Sequence, residues 1–302
     1  MTPAPGRVYH GPVMGRAVLL FACAAALAPS LPADGSARPE GRPPLPAQAP
    51  DGWRTLEPGL DLGEFPAALP SPSGDRRITV LRVDPGRFRL ALANASAMPD
   101  RRPRTAREWA EEKGFVAAIN ASMYQEDRLT SVSLMRSGGH VNNPRLSKDK
   151  AVLAFDRASE DVPPVQIIDR ECQDFEALRP LYGTLVQSIR MVSCRGANVW
   201  SRQERRWSTA AVGMDGRGRV LFLFARSPFP THDFIDLALG LPIDLRGAMY
   251  VEGGPEAQLC VRAGGLDLEK FGSFETGFFE SDLNARAWPV PNVIGVARLA
   301  AR

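Results

Sequence analysis

Two apolar runs in this 302-residue chain end in side chains that could do chemistry. Met249-Tyr250-Val251 leads into Glu252-Gly253-Gly254-Pro255, so a carboxylate leaves a strand-like run and meets paired glycines. A carboxylate in such a place can activate water or stabilise a developing cation. Gly253 and Gly254 would let a ligand approach main-chain N–H groups. The second run, Ala118-Ile119, leads into Asn120-Ala121-Ser122-Met123-Tyr124, where the Asn120 amide could orient hydroxyls or a water. Taken alone, the first motif equally describes a turn with an exposed Glu. The second equally describes a strand-end Asn serving its own backbone.

Other residues suit an anionic group. Arg190 interrupts the apolar stretch Gln187-Ser188-Ile189-Arg190-Met191. Alternation puts Ser188 and Arg190 on one face, Ile189 and Met191 on the other, so Arg190 must meet solvent, a cleft or a carboxylate. Ser208 and Thr209 offer hydroxyls, or simply form a β-edge pair. Arg205 and Arg206 belong to the charged run RQERR and read as a solvated loop. His140 follows Ser137-Gly138-Gly139 and could bind phosphate or move a proton; a surface His is the alternative. His232 opens a helical pattern, where capping is the expected use. No H-x-x-x-H or D-x-D-x-D-G pattern occurs, so no metal site is assigned and no cofactor is expected, with Ca²⁺ on scattered oxygen ligands left open.

These residues need a scaffold, and the chain divides into three parts. Residues 1–33 hold no acid, and Ala17–Ala28 is an unbroken apolar run behind Arg16. That run is too short to span a bilayer and fits a signal peptide. Leu20-Phe21-Ala22-Cys23 loosely follows a lipidation motif, which makes a lipid anchor at Cys23 the alternative to a plain apolar cysteine. Fourteen of the 27 prolines fall within residues 1–72, so residues 34–74 read as a flexible linker. Residues 75–302 form a single domain. The balance of 37 basic and 34 acidic residues is too even to argue for nucleic acid. In an exported compartment Cys172 and Cys194 could pair or stay as thiols; spacing does not decide it.

Within the domain, Arg76–Asp84 and Arg87–Asn94 alternate around Pro85-Gly86 and are expected to form a hairpin. Thr105 with Glu108 predicts a capping box. Ala210–Met214 and Val220–Ala225 flank Asp215-Gly216-Arg217-Gly218, a hairpin signal. Thr231–Gly240 reads as an amphipathic helix capped by Thr231. Strands outnumber helices and turns are short. The expected class is α+β, with a mixed, largely antiparallel sheet and a few packed helices.

The order of the segments resembles the phosphodiester glycosidase family. Its members carry an I-N-G-G/A-F-F-like segment, then an R-T/S-A-x-G strand, then a strand ending L-D-G-G. The counterparts here are Ile119–Tyr124, Thr209-Ala210-Ala211-Val212-Gly213 and Val251-Glu252-Gly253-Gly254. The resemblance covers residues 75–299. It implies an exported, periplasmic or secreted hydrolase that cleaves a sugar from a glycosyl-1-phosphodiester. Glu252 would be the base or stabiliser and Asn120 its catalytic partner. Gly253, Gly254, Arg190, Ser208, Thr209 and His140 would contact substrate. This chain departs from the pattern at Glu252 (for Asp), at Ala121 and Ser122 (for Gly), and at Thr209 (for Arg). Those departures keep two alternatives in view: a non-catalytic glycan-binding protein on the same scaffold, and a phosphoester hydrolase.

Overall fold

The computed structural model describes residues 52–299; the signal-like segment and Cys23 lie outside the described residues. Three sheets, all paired antiparallel, share one central core. The seven-stranded sheet runs from edge to edge as Trp53–Glu57, Leu60–Pro66, Arg77–Val83, Val220–Pro230, Arg206–Asp215, Leu245–Gly253 and Arg190–Val192. A five-stranded sheet carries Leu266–Phe271, Gln258–Ala263, Ala117–Asn120, Asn292–Arg298 and Phe88–Asn94. The third carries His140–Asn143, Met135–Ser137, Tyr182–Ser188, Ala151–Arg157 and Val165–Asp169. The architecture fits the expected α+β class with antiparallel sheets and a few packed helices, though it is β-dominated, with three sheets and no parallel pair among the described strands.

Alternation explains the layering. One face of each sheet sends Leu81, Phe222, Met249, Ile119, Leu259, Leu153 and Val186 into the central core. The opposite faces have separate covers. Helix Thr231–Gly240 lays Phe234, Ile235 and Ala238 over the seven-stranded sheet. Helix Ala106–Lys113 lays Trp109 and Ala110 over the Asn120 sheet. Its start is the expected capping box: Glu108 N–H donates to Thr105 Oγ1, and Thr105 N–H donates to Glu108. Gly114 ends it in the left-handed conformation, φ 67°.

Three local expectations are corrected. Trp53–Glu57 and Leu60–Pro66 are strands of the seven-stranded sheet, so the folded part begins before Asp75. Buried Trp53, Leu56, Leu60, Leu62 and Phe65 supply apolar contacts that the proline-rich stretch before them lacks. Second, Arg77–Val83 and Phe88–Asn94 are not a hairpin. The first pairs with Leu60–Pro66 and Val220–Pro230, the second with Asn292–Arg298 in another sheet. Each is buried along most of its length, so long-range partners outcompete the adjacent one. Third, Thr231 does not cap its helix; Pro230 holds the cap position and Thr231 is buried. The Asp215–Gly218 turn forms as expected, with Asp215 Oδ1 accepting from Arg217 and Arg219 N–H.

Cys172 and Cys194 form a disulfide across a separation of 22 residues, while Cys260 is a buried thiol that burial pushes up to about 12. No helix among the described residues is long and apolar enough to cross a membrane.

Candidate active site

The Glu252 strand carries an irregularity at its end. Ala211 pairs with Tyr250 and Ala210 with Glu252, which leaves Val251 without its own partner on the neighbouring strand. In a regular strand Glu252 would share the outer face with Tyr250. The extra residue turns it to the side of Ala210, which belongs to the central core. Glu252 is buried, at 8% exposure, and acts electrostatically on Tyr124 from the neighbouring sheet. The Gly253 N–H donates to its Oε1 at 3.1 Å.

The two glycines are required for different reasons. A Cβ on Gly253 would collide with Tyr250 Oη and Trp207 Cδ1. Gly254 has φ 61°, and a Cβ there would run into the Glu275 carboxylate. The glycines thus let a phenol, an indole and a second carboxylate close around the strand end. Gly254–Glu256 then forms a short turn that presents Glu256.

The Asn120 strand reaches the same place from the other sheet. Asn120 Nδ2 donates to Glu256 O at 2.9 Å, and its Oδ1 accepts from Gln258 N–H at 2.7 Å. Four residues on, the Tyr124 hydroxyl donates to Glu256 Oε1 at 2.5 Å. Burial pushes the Tyr124 phenol far above its ordinary range. Glu256 and Glu252 add to this, and the Arg128 cation opposes it. Burial raises Tyr250 likewise, reinforced by Glu252, Glu275 and Glu256. A phenol is protonated at neutral pH even at its ordinary value, and here burial and the carboxylates of Glu252 and Glu256 hold both further on the protonated side. Trp200 and Trp207 pack against Tyr250, with ring centroids 5.7 and 6.5 Å away.

Glu252, Gly253, Gly254, Asn120 and Thr209 are brought together, Thr209 pairing directly with Gly253. Ser208 lies beside them, buried; its hydroxyl donates to Arg226 O and accepts from Ser273 N–H. Arg190 pairs with Met249, but its guanidinium turns away to Asp169 at 2.7 and 2.8 Å and to Glu171 at 2.7 Å. It lines a different cleft of about 230 Å³ that also holds Asp215 and Arg246. His140 follows a Gly-Gly turn at a sheet edge, its Nε2 2.9 Å from Ser96 Oγ. His232 faces Asp236 at 3.3 Å and Asp233 at 3.6 Å on the helix cover.

Sequence reasoning assigned no role to Glu256, Tyr124, Tyr250, Glu275 or Trp207. Tyr124 stands inside the Ile119–Tyr124 segment and Glu256 directly after Glu252-Gly253-Gly254-Pro255, so proximity to a motif was an available signal. Glu275 comes from a remote loop and carries none.

The family's sequence profile, described as phosphodiester glycosidase, matches residues 113–297, more than half of the chain. The chain belongs to the phosphodiester glycosidase family. The matched span contains every strand end that meets at Glu252. Among solved structures, the fold is similar to a zebrafish N-acetylglucosamine-1-phosphodiester alpha-N-acetylglucosaminidase catalytic domain, described as auto-inhibited by its pro-peptide. The TM-score is 0.58 at 12% identity, covering 82% of this chain and 86% of that one. A hypothetical protein from Synechocystis has a TM-score of 0.54 at 13% identity, over 80% of this chain and 62% of the other. At these identities the likeness concerns the fold. No curated protein matches the sequence.

Proposed function

We propose that this family member is an exported hydrolase that releases a sugar from a glycosyl-1-phosphodiester, with Glu252 as the central carboxylate. The observation that carries the reading is the strand irregularity at Val251, which turns Glu252 inward beside the Tyr124–Glu256 pair. A phosphodiester is already a good leaving group, so little acid assistance is needed. What remains is to stabilise an oxocarbenium-like centre and to activate water, and a buried carboxylate suits both tasks. Tyr124 and Tyr250, held protonated, would donate to sugar oxygens or to the attacking water.

Asn120 is a positioning residue in this scheme. Its amide holds the main chain at Glu256 and Gln258, which fixes the turn presenting Glu256. Gly253 and Gly254 admit close backbone approach. Arg128, in an exposed turn beside Tyr124, and Arg205, exposed beside the Glu275 loop, are the cations placed to meet phosphate oxygens. The signal-like N-terminal run supports export.

The test is hydrolysis of a panel of sugar-1-phosphodiesters by wild type and Glu252→Gln. Expected are turnover by the wild type and a loss of about 10²–10⁴-fold in the variant, the range for a positioned acid–base group. Equal turnover would remove Glu252 from the chemistry. Sugar binding without any turnover would favour the glycan-binding alternative. Labelled solvent water recovered in the phosphate rather than the sugar would favour the phosphoester hydrolase.

A further inference from the structure

We propose that Glu275 is the base that takes the proton from the attacking water, and that the Trp207 indole N–H holds that water. This rests on the glycosyl phosphodiester reading and divides its labour. Glu252 stabilises the developing cation of the sugar, and Glu275 activates the water.

Main-chain contacts fix the Glu275 loop to the Glu252 strand end. Ser208 N–H donates to Phe274 O and Thr276 N–H donates to Arg206 O, each at 3.0 Å. Glu275 thereby stands opposite Trp207 in an antiparallel bridge. Gly272 N–H donates to Ala257 O at 2.8 Å, and a Cβ on Gly272 would collide with Gly254 O. The Glu275 carboxylate in turn occupies the space that a Cβ on Gly254 would need. Two close approaches therefore bring this loop to one turn, directly after Glu252. Burial raises the Tyr250 phenol first, and Glu252, Glu275 and Glu256 follow in that order, which places the Glu275 charge beside Tyr250 as well.

The three carboxylates differ in what they can do. Glu256 accepts the Tyr124 hydroxyl. Glu252 is buried and accepts from Gly253 N–H, which suits a fixed anion that stabilises a cation. Glu275 is half-buried on a loop, where water can reach it.

Trp207 supplies the matching donor. Its Nε1–H is buried and has no hydrogen-bond partner among the described residues, a costly state for a donor unless a ligand or water completes it. Cδ1, the ring atom bonded to that nitrogen, lies where a Cβ on Gly253 would go. An unpaired N–H and a carboxylate thus reach adjacent glycines from facing residues. A water between them accepts from Trp207 and donates to Glu275. In the step, the water oxygen bonds to the anomeric carbon as the bond from that carbon to the phosphate oxygen breaks. The bonding pair leaves with the phosphate, and the water proton passes to the Glu275 carboxylate.

The experiment is turnover of the sugar-1-phosphodiester panel by wild type, Glu275→Gln, Glu275→Ala and Trp207→Phe, with and without sodium azide. Glu275→Gln keeps the shape of the side chain and should lose about 10²–10⁴-fold in kcat. Azide is a nucleophile with no proton to remove. In Glu275→Ala it should restore turnover at least about tenfold and yield a glycosyl azide, identified by mass spectrometry. Trp207→Phe keeps the ring packing and removes only the N–H, so kcat should fall about tenfold with KM within about twofold of wild type. Turnover by Glu275→Gln within about threefold of wild type would overturn the assignment. So would a loss in Glu275→Ala that azide does not restore, which marks a structural part, or an unchanged kcat in Trp207→Phe. Each of those results leaves the glycosidase reading standing, because the wild type still turns over. A wild type that cleaves no diester would defeat that reading and this assignment together.

Discussion

Two charged corners of this molecule are built in opposite ways. At the Arg190 corner, a guanidinium meets Asp169 through one nitrogen and Glu171 through another, and Asp169 also accepts from Cys194 N–H at 3.0 Å. Burial pushes the Asp169 carboxyl up, but the Cys194 N–H and the Arg190 guanidinium outweigh it and hold it below the usual carboxylate range. The Cys172–Cys194 disulfide staples that corner covalently. At the Glu252 corner, like charges are gathered instead. Glu252, Glu256 and Glu275 all act on Tyr250, and glycines have removed the side chains that would have kept them apart. Opposite charges brought together serve architecture; at the other corner burial, reinforced by the neighbouring carboxylates, pushes two phenols up, and groups perturbed in that way cluster at functional sites.

Removing one residue from each corner should separate chemistry from architecture. Glu252→Gln should give the largest effect on activity, the loss of turnover described above, while the near-isosteric amide keeps an acceptor for Gly253 N–H and a cooperative thermal transition. A large drop in melting temperature would mean that Glu252 is architectural as well. Asp169→Ala should do the reverse. Arg190 keeps Glu171, but the Cys194 N–H loses its acceptor and Arg190 one of its two carboxylates, so a cost of about 1–3 kcal/mol by chemical denaturation is expected, while turnover per folded molecule stays near wild type.

The Asp169 difference carries a pH signature. A carboxyl whose folded pKa lies below its unfolded value, about 3.9, contributes fully above that value and loses its contribution as pH falls through the folded one. The stability gap between wild type and Asp169→Ala should therefore be full at neutral pH and shrink below about pH 4. A gap that widened in acid would contradict the assignment.

Two further effects sharpen the contrast. Reducing the Cys172–Cys194 bond should lower stability by about 3 kcal/mol, from the freedom regained by the unfolded chain, without altering turnover at 25 °C. Denaturation with and without reductant measures it. Gly253→Ala should cost about 1–3 kcal/mol in the same assay, since its methyl must displace Tyr250 Oη or Trp207. It should also lower turnover, whereas Gly218→Ala, in an open turn, should lose stability alone through its φ of 76°.

Local features were legible because their causes are local. The Thr105–Glu108 capping box, the Asp215–Gly218 turn and the Ile189/Met191 face opposite Arg190 each depend on a few adjacent residues. The strand after Phe115 and the helix over Thr231–Gly240 follow from short apolar runs. The hairpin expected around Pro85-Gly86 failed because both strands found partners more than a hundred residues away. Trp53–Pro66 was hidden by its proline-rich neighbourhood, although its buried apolar residues secure a place in the sheet. The role of Asn120 illustrates the same limit within the site. Its residue type announced hydrogen bonding, yet only the packing of two sheets showed that its amide serves the main chain at Glu256 and Gln258.

By itself, then, the sequence determined the Thr105–Glu108 cap, the Asp215–Gly218 turn, the family pattern at Ile119–Tyr124, Thr209–Gly213 and Val251–Gly254, and the candidacy of Glu252. Those depend on residue type and spacing along one chain. The tertiary structure decided which face Glu252 takes, because an unpaired Val251 is a property of two strands in register. It also decided that Tyr124, Glu256 and Glu275 join Glu252, because they come from three segments whose meeting depends on how the sheets close over a common core.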